Sequence, residues 1–327
     1  MTIKILLIVL VLSAGSVQQL TAAITQWFLH QQEDVILLSC YAQEPIQPIV
    51  QRDDQQLTII LPATIVTAQQ ELLPATIDGV RRTFSAQATT ITVHEKGLWY
   101  AVGSCVAVQQ KQCCIIMVGK SKQPSRYFRH AVRIDAGHGG NDTGAVANTA
   151  RESVIALQVS MQLAQQLQQL SLPYLQTRMQ DKTILLDERT RGALHDAIVV
   201  SLHCNSSSNA AARGIEVLYP AWSQVQWHAT TMPSAWRDYL QQLEDRSKQC
   251  ATDIMQTVTK QMRALYPLQA RSIVPACGQM LQGSLTVSVL VELGFLTNRE
   301  ECAALQRHPV QQQLAISVAA ALAHCLL

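Results

Sequence analysis

The sequence predicts an α/β protein: a three-layer domain around a twisted, mostly parallel sheet, preceded by a small β-sandwich-like domain. Three observations predict it. The second half alternates β-branched apolar runs with segments of helical period, the pattern of parallel strands covered by helices. The first third holds only short strand-prone runs between turn-like breaks. Three of the apolar runs in the second half end in side chains that bind metals or move protons, where open α/β sheets collect reactive groups.

Residues 1–23 read as a targeting segment. Lys4 precedes the apolar run Ile5–Leu12, and small residues follow at Ala14-Gly15-Ser16 and Ala22-Ala23. This resembles a secretory signal peptide and places the protein outside the cytoplasm, in the periplasm or cell envelope. The run is too short to cross a bilayer comfortably, so no stable membrane span is expected after processing. Residues 24–122 form the β-rich domain, with runs at Asp34–Ser39, Leu57–Leu61, Thr89–Val93, Leu98–Val102 and Cys114–Val118 and breaks such as Asp53-Asp54. Ser121–Arg129, polar and basic around Pro124, reads as a linker. Residues 130–327 form the second domain. Its strands are expected at Val132–Ile134, Tyr174–Thr177, Ile198–Leu202, Gly214–Tyr219 and Val287–Val291. Its helices are expected at Glu152–Leu170, Asp187–Asp196, Ser247–Leu265, Glu300–Arg307 and Val310–Cys325, with Pro309 placed for a first turn.

Composition bounds the function. The 327 residues are 48% hydrophobic and 15% charged with a net charge of +2, too near neutral to point to nucleic acid. The nine cysteines contain no CxxC pair, which argues against a structural cysteine-zinc site. Export would permit disulfides, and Cys40 could pair with Cys105, Cys113 or Cys114. Several cysteines read instead as small buried hydrophobes.

The chemistry sits in three segments: Ile134-Asp135-Ala136-Gly137-His138-Gly139-Gly140, Ser201-Leu202-His203-Cys204-Asn205, and Val289-Leu290-Val291-Glu292-Leu293-Gly294-Phe295. Glu152, at the start of a helical segment, joins them. Two imidazoles and two carboxylates are what a hydrolytic zinc centre needs: three ligands, an open position for water, and a separate carboxylate to move protons. Each has an ordinary alternative. His138 suits a turn, His203 a core strand, and Glu152 a helix first turn. Glu292 resists such a reading, because a carboxylate inside an apolar strand is costly without a partner. Cys204 should point away from His203 by strand alternation and read as core. His195, His228, His308 and His324 show no partner spacing.

Several blocks together resemble the zinc-dependent N-acetylmuramoyl-L-alanine amidases of bacterial cell walls. They are Ile134–Ala145, Arg151-Glu152 with Ser153–Leu170, Thr177-Arg178 with Leu186–Arg189, Ser201–Asn205, Gly214–Tyr219 and Val289–Asn298. The resemblance covers about Arg133 to Leu327. It implies that His138, Glu152 and His203 bind one zinc ion, that Glu292 is catalytic, and that Asn205 contacts substrate. It implies peptidoglycan as partner and hydrolysis of the bond between N-acetylmuramic acid and L-alanine, in wall remodelling and daughter-cell separation. The chain departs from the family at Ala136, where proline is usual, and at Ser153, where lysine is usual; neither position supplies a ligand. The N-terminal domain is similar in position and strand content to amidase domains that bind the wall, and a purely packing role is its alternative.

Other readings stay open. The same centre could act as a zinc peptidase on the stem peptides, or the chain could be a non-catalytic envelope-binding scaffold. Trp222–Arg246 has no assigned role. Some relatives insert here a helix that blocks the zinc with an acid until a protein activator withdraws it, which would make Glu244 the blocking residue. An aromatic substrate loop or a surface helix is the alternative.

Overall fold

The computed structural model describes residues 22–32, 35–42, 45–52, 56–61, 63–65, 76–77, 80–84, 89–93, 98–106, 112–119, 130–190, 193 and 196–326. The expected signal peptide, but for its last residues, and the expected linker Ser121–Arg129 lie outside the described residues. Among the described residues no helix is long and apolar enough to cross a membrane.

The N-terminal unit is all β: β1 Ala22–Gln32, β2 Val35–Ala42, β3 Ile49–Arg52, β4 Leu57–Leu61, β5 Ala63–Ile65, β6 Thr76–Ile77, β7 Val80–Phe84, β8 Thr89–Val93, β9 Trp99–Val106 and β10 Gln112–Gly119. One sheet runs β3-β4-β8-β7-β6; the other contains β9-β10-β2-β1-β5. The two sheets enclose a core of Leu38, Cys40, Ile116 and Val118 against Leu57, Ile59 and Leu61. The expected runs 57–61 and 89–93 appear unchanged. The polar-rich strands β1, β3 and β7 gave no clear sequence signal.

Strand β10 shows how the unit is attached. Its alternate residues Cys114, Ile116 and Val118 face the sandwich core, while Cys113, Ile115 and Met117 join the core of the second domain. A strand covered on both faces needs apolar residues at every position, hence the unbroken run Cys113–Val118. Cys113 lies opposite Cys105, and Cys114 opposite Cys40, across adjacent strands. All nine cysteines are free thiols and all but Cys325 are buried, in keeping with their reading as small hydrophobes.

The second domain contains β11 His130–Ala136, β12 Val146–Ala147, β13 Ala150–Arg151, α1 Glu152–Gln169, β14 Tyr174–Gln176, α2 Leu186–Thr190, β15 Asp196–Asn205, β16 Ile215–Pro220, β17 Gln226–Thr230, α3 Ser234–Met262, β18 Ala270–Ala276, α4 Gln279–Gln282, β19 Val287–Phe295, α5 Arg299–Leu305 and α6 His308–Cys325. Its central sheet has the order β14-β11-β15-β19-β16-β18. Pairing is parallel except between β16 and β19. Helices α1 and α3 cover one face and α6 packs against both; Ile155, Val159 and Leu163 of α1 share one buried core with Val200 and Leu202 of β15 and Val291 of β19. Each such fully buried aliphatic side chain contributes roughly 1.5–3 kcal/mol of transfer free energy. The short helices α2 and α4 cover only part of the other face, through Leu186 of the first and Met280 and Leu281 of the second.

Two expectations need correction. The helix expected over Asp187–Asp196 is only the short α2, and Asp196 already begins β15. The helix expected from Ser247 starts at Ser234. The segment Trp222–Arg246 therefore has a structure of its own. It leaves β16 through a single 3-10 turn at Trp222–Gln224, and β17 then pairs antiparallel with β9, completing the N-terminal sheet. Trp222, Val225 and Trp236 are buried in the joint core of both domains, and His228 is within hydrogen-bond distance of Ser104, 2.6 Å. Glu244 accepts from the Ser223 backbone N–H and hydroxyl, each at 2.6 Å. Both its oxygens are thus engaged beyond the Pro220 end of β16, and the segment is a clasp between domains rather than a cover for the cleft.

Candidate metal centre

The site forms at the carboxyl ends of β11, β15 and β19. After β11 the chain turns sharply, with His138 at φ 57° and Gly139 at φ 123°. A left-handed histidine is held at a cost of order 1–3 kcal/mol and persists only where its surroundings enforce it. Two buried arginines do so. Arg178 donates to the carbonyls of Ala136 (2.9 Å) and Gly137 (2.7 Å), and Arg189 to those of Ala136 (2.7 Å) and His138 (2.7 Å). Glycine is required at Gly137 and Gly144, because a Cβ would run into the His203 ring at the first and into Glu152 and His138 at the second.

Three donor atoms converge there. His138 Nε2 lies 3.0 Å and His203 Nδ1 2.8 Å from Glu152 Oε1, and the ligand atoms of all three residues lie within 4.8 Å of one another. A tetrahedral zinc with bonds of about 2.0–2.2 Å separates its donors by roughly 3.4 Å, so the set is close to zinc-binding dimensions. The second nitrogen of each ring has its own partner. His138 Nδ1 sits 2.8 Å from Asp142 Oδ2. His203 Nε2 sits 3.1 Å from Ser201 Oγ, whose proton goes to Asp135 Oδ2 at 2.7 Å. With Ser201 donating to Asp135, its oxygen accepts from His203 Nε2–H, which leaves Nδ1 free to bind a cation. Asp135 is also held by Thr177 and Arg189. Burial alone would raise its carboxyl, but Arg189 and the two hydroxyls outweigh that and hold it below the usual carboxylate range.

Charge is concentrated at this point. Burial alone would lower the His138 imidazole, yet the Glu152 and Asp142 carboxylates lift it to about 9. Burial would raise Glu152, yet the two imidazoles hold it well below the usual carboxylate range. Its other oxygen accepts from the Ala145 N–H at 2.8 Å, and the Cys204 N–H donates to Oε1 at 3.1 Å. The Cys204 thiol itself is in the core, so only its backbone serves the site.

Glu292 is the cross-strand neighbour of His203 on one side and of Glu216 on the other. Its Oε2 is shielded from solvent and has no hydrogen-bond partner among the described residues. Burial lifts its carboxyl to about 7; the His203 imidazole opposes this, and the Glu152 and Glu216 carboxylates add to it. A buried, unpaired carboxylate oxygen beside a His/Glu/His set without thiolates fits a hydrolytic zinc site. Asn205 donates through Nδ2 to Glu216 Oε2 at 2.6 Å and accepts the Ser206 N–H at 2.8 Å.

Structure thus brings His138, Glu152, His203 and Glu292 together, with Asn205 two residues beyond His203 on β15. Sequence reasoning missed Asp135, Asp142, Ser201 and Glu216. Strand alternation offered a signal for Ser201, two residues before His203. It also missed how the loop after Glu292 is fixed. Asn298 caps α5 by accepting from Glu300 and Glu301, and Glu301 reaches back to accept from Phe295 N and Gly214 N, each at 2.7 Å. His195 lies outside the described residues. His324 meets Asp253 at 3.2 Å on the surface, away from the site.

Comparison with known proteins is specific. A family model described as N-acetylmuramoyl-L-alanine amidase matches residues 132–324. The protein YqiI of Bacillus subtilis is 29% identical over 189 residues, covering 57% of this chain and 80% of its own. The N-acetylmuramoyl-L-alanine amidase AmiA of Escherichia coli is 28% identical over 230 residues, covering 61% and 77%. Among solved structures, the amidase AmiC2 of Nostoc punctiforme superposes with a TM-score of 0.50 at 25% identity, over 61% of this chain and 97% of its own.

Proposed function

This chain belongs to the N-acetylmuramoyl-L-alanine amidase family, and we propose that His138, Glu152 and His203 hold one zinc ion while Glu292 carries the proton. The enzyme is a peptidoglycan amidase; it hydrolyses the bond between N-acetylmuramic acid and L-alanine. The observation that carries the proposed site is the unpaired, shielded Glu292 Oε2 one strand from His203.

When bound, zinc supplies a Lewis acid that polarises the carbonyl and lowers the pKa of water to about 7. The chain's residues do the rest. Asp142 orients His138, and Ser201 with Asp135 orients His203, so each presents one bare nitrogen. Glu292 Oε2 takes the proton of the attacking water and returns it to the amide nitrogen as the C–N bond breaks. Burial raises this carboxyl above the usual range, which favours its returning the proton as well as taking it. Asn205, fixed by Glu216, contacts substrate through its remaining amide hydrogen.

The proposal includes export to the cell envelope or periplasm by residues 1–23, a role in daughter-cell separation, targeting by the N-terminal β unit, and a protein activator. The deciding experiment is mass analysis of fragments from purified peptidoglycan, with and without chelator. The expected products are lactyl-ended glycans and free peptides, lost on chelation. Peptides cut internally would indicate a stem peptidase, and no cleavage a scaffold. Glu292→Gln should keep zinc and lose at least about a hundredfold in turnover, whereas His138→Ala should lose the metal. Equal zinc content in His138→Ala would remove His138 from the ligand set.

A further inference from the structure

A row of side chains runs across four adjacent strands: His203 on β15, Glu292 on β19, Glu216 on β16 and Ser272 on β18. The register slips at two places along this rim. Between β16 and β18, Ile215 pairs with Ala270 but Glu216 pairs with Ser272, so Arg271 is an extra residue. Between β15 and β19, the slip falls after His203 and Glu292, and Asn205 pairs with Phe295. Such bulges re-aim side chains, and they gather beside active sites. The first turns Arg271 out of alternation and onto the Glu216 side, where its Nε donates to Glu216 Oε1 at 3.0 Å beside the Ser272 hydroxyl at 2.5 Å. The second lays the buried Phe295 ring beneath the guanidinium, 5.0 Å from it.

The result is a cation held on three sides and open on the fourth. Arg271 is anchored through Nε and stacked on an aromatic ring, yet its side chain is 44% exposed, and its terminal NH2 groups make no hydrogen bond among the described residues. A planar guanidinium presented in this way is a carboxylate receptor, since two parallel N–H groups match two oxygens. The Arg271 guanidinium is bonded to Glu216, the cross-strand neighbour of Glu292 one strand spacing away, so it stands roughly 5–8 Å from Glu292. An extended peptide advances about 3.3–3.6 Å per residue, so this distance spans about two residues and reaches the one that follows the L-alanine.

We propose that Arg271 binds a free carboxylate on the second residue of the peptide stem, and so selects acidic stems over amidated ones. This rests on the amidase reading and deepens it. In the row, Glu292 handles the scissile bond, Glu216 fixes Asn205 and Arg271 together, and Arg271 reads the released peptide.

The test uses the full exported chain with two synthetic muropeptides that differ only in a carboxylate or carboxamide on the second residue. The wild type should cleave the carboxylate substrate with about tenfold higher kcat/KM. Arg271→Gln should raise KM for that substrate about tenfold more than KM for the carboxamide substrate, and so erase the preference. Arg271→Lys should restore part of it. Equal wild-type rates on both substrates, or an equal loss on both in Arg271→Gln with melting temperature and zinc content retained, would overturn the proposal. Failure of the wild type on both substrates would instead sink the amidase reading, and this inference with it.

Discussion

The two ends of the central sheet are built on opposite terms. At the end carrying His203 and Glu292, polar groups are packed side by side, and one carboxylate oxygen is left without a partner. At the other end, beyond Pro220, the chain passes through Trp222 and β17 into a second sheet, and the joint is filled by Ile115, Met117, Trp222, Val225 and Trp236. The first end stores unsatisfied polarity and is stabilised by networks behind it. The second has apolar closure as its main content. The difference teaches where function and stability should separate: substitutions at the joint should alter unfolding, and substitutions at the rim should alter metal affinity and turnover.

The largest effect expected of that separation is at the joint. Ile115 is fully buried between the N-terminal sheet and the second domain. Ile115→Ala should cost about 2–5 kcal/mol of unfolding free energy, from lost transfer and the cavity left behind. Denaturant unfolding should show it as a lower midpoint, while kcat and zinc content of the folded fraction at 25 °C stay at wild-type values. A lowered zinc affinity would mean that the two ends are coupled and that the comparison fails.

At the rim the expected change is smaller and of another kind. Ser201→Ala breaks the path from His203 through Ser201 to Asp135, so the ring loses the partner that fixes its tautomer. Loss of such a supporting group typically lowers metal affinity 10–100-fold. Competition with a chelator should detect this, with the unfolding midpoint shifted far less than in Ile115→Ala. Unchanged affinity would show that the His203 ring is held by packing alone.

The same contrast explains what could be read from sequence. The strands β15 and β19 bury residues of both parities, so they appear as nearly continuous apolar runs, and Glu292 stands out because the run around it makes a carboxylate costly. Strand β10 was legible for the same reason. Strand β17, Gln-Trp-His-Ala-Thr, was not: it completes an edge of a sheet whose other strands lie more than 100 residues earlier, and no local period marks that. The ligands sat in quotable motifs. Asp135, Ser201 and Glu216 act through register, which aligns residues 66 apart in one case, and the position of Arg271 depends on a bulge. Register and bulges are set by the whole sheet and cannot be seen from one strand.

The smallest effect sharpens the comparison at the clasp itself. Glu244 lies in the segment whose counterpart in some relatives would block the metal, yet here both its oxygens accept from Ser223 at 2.6 Å. A blocking acid must exchange between cleft and solvent, whereas an acid doubly bonded to a neighbouring backbone N–H and hydroxyl holds a turn. Glu244→Gln keeps the shape but removes the charge that strengthens both bonds, and should cost about 1 kcal/mol of stability. Wall hydrolysis should be unchanged within a factor of about two, since the turn stands at the joint and not at the rim. A severalfold rise in activity would assign Glu244 to the cleft after all, and would mean that the clasp opens during the catalytic cycle.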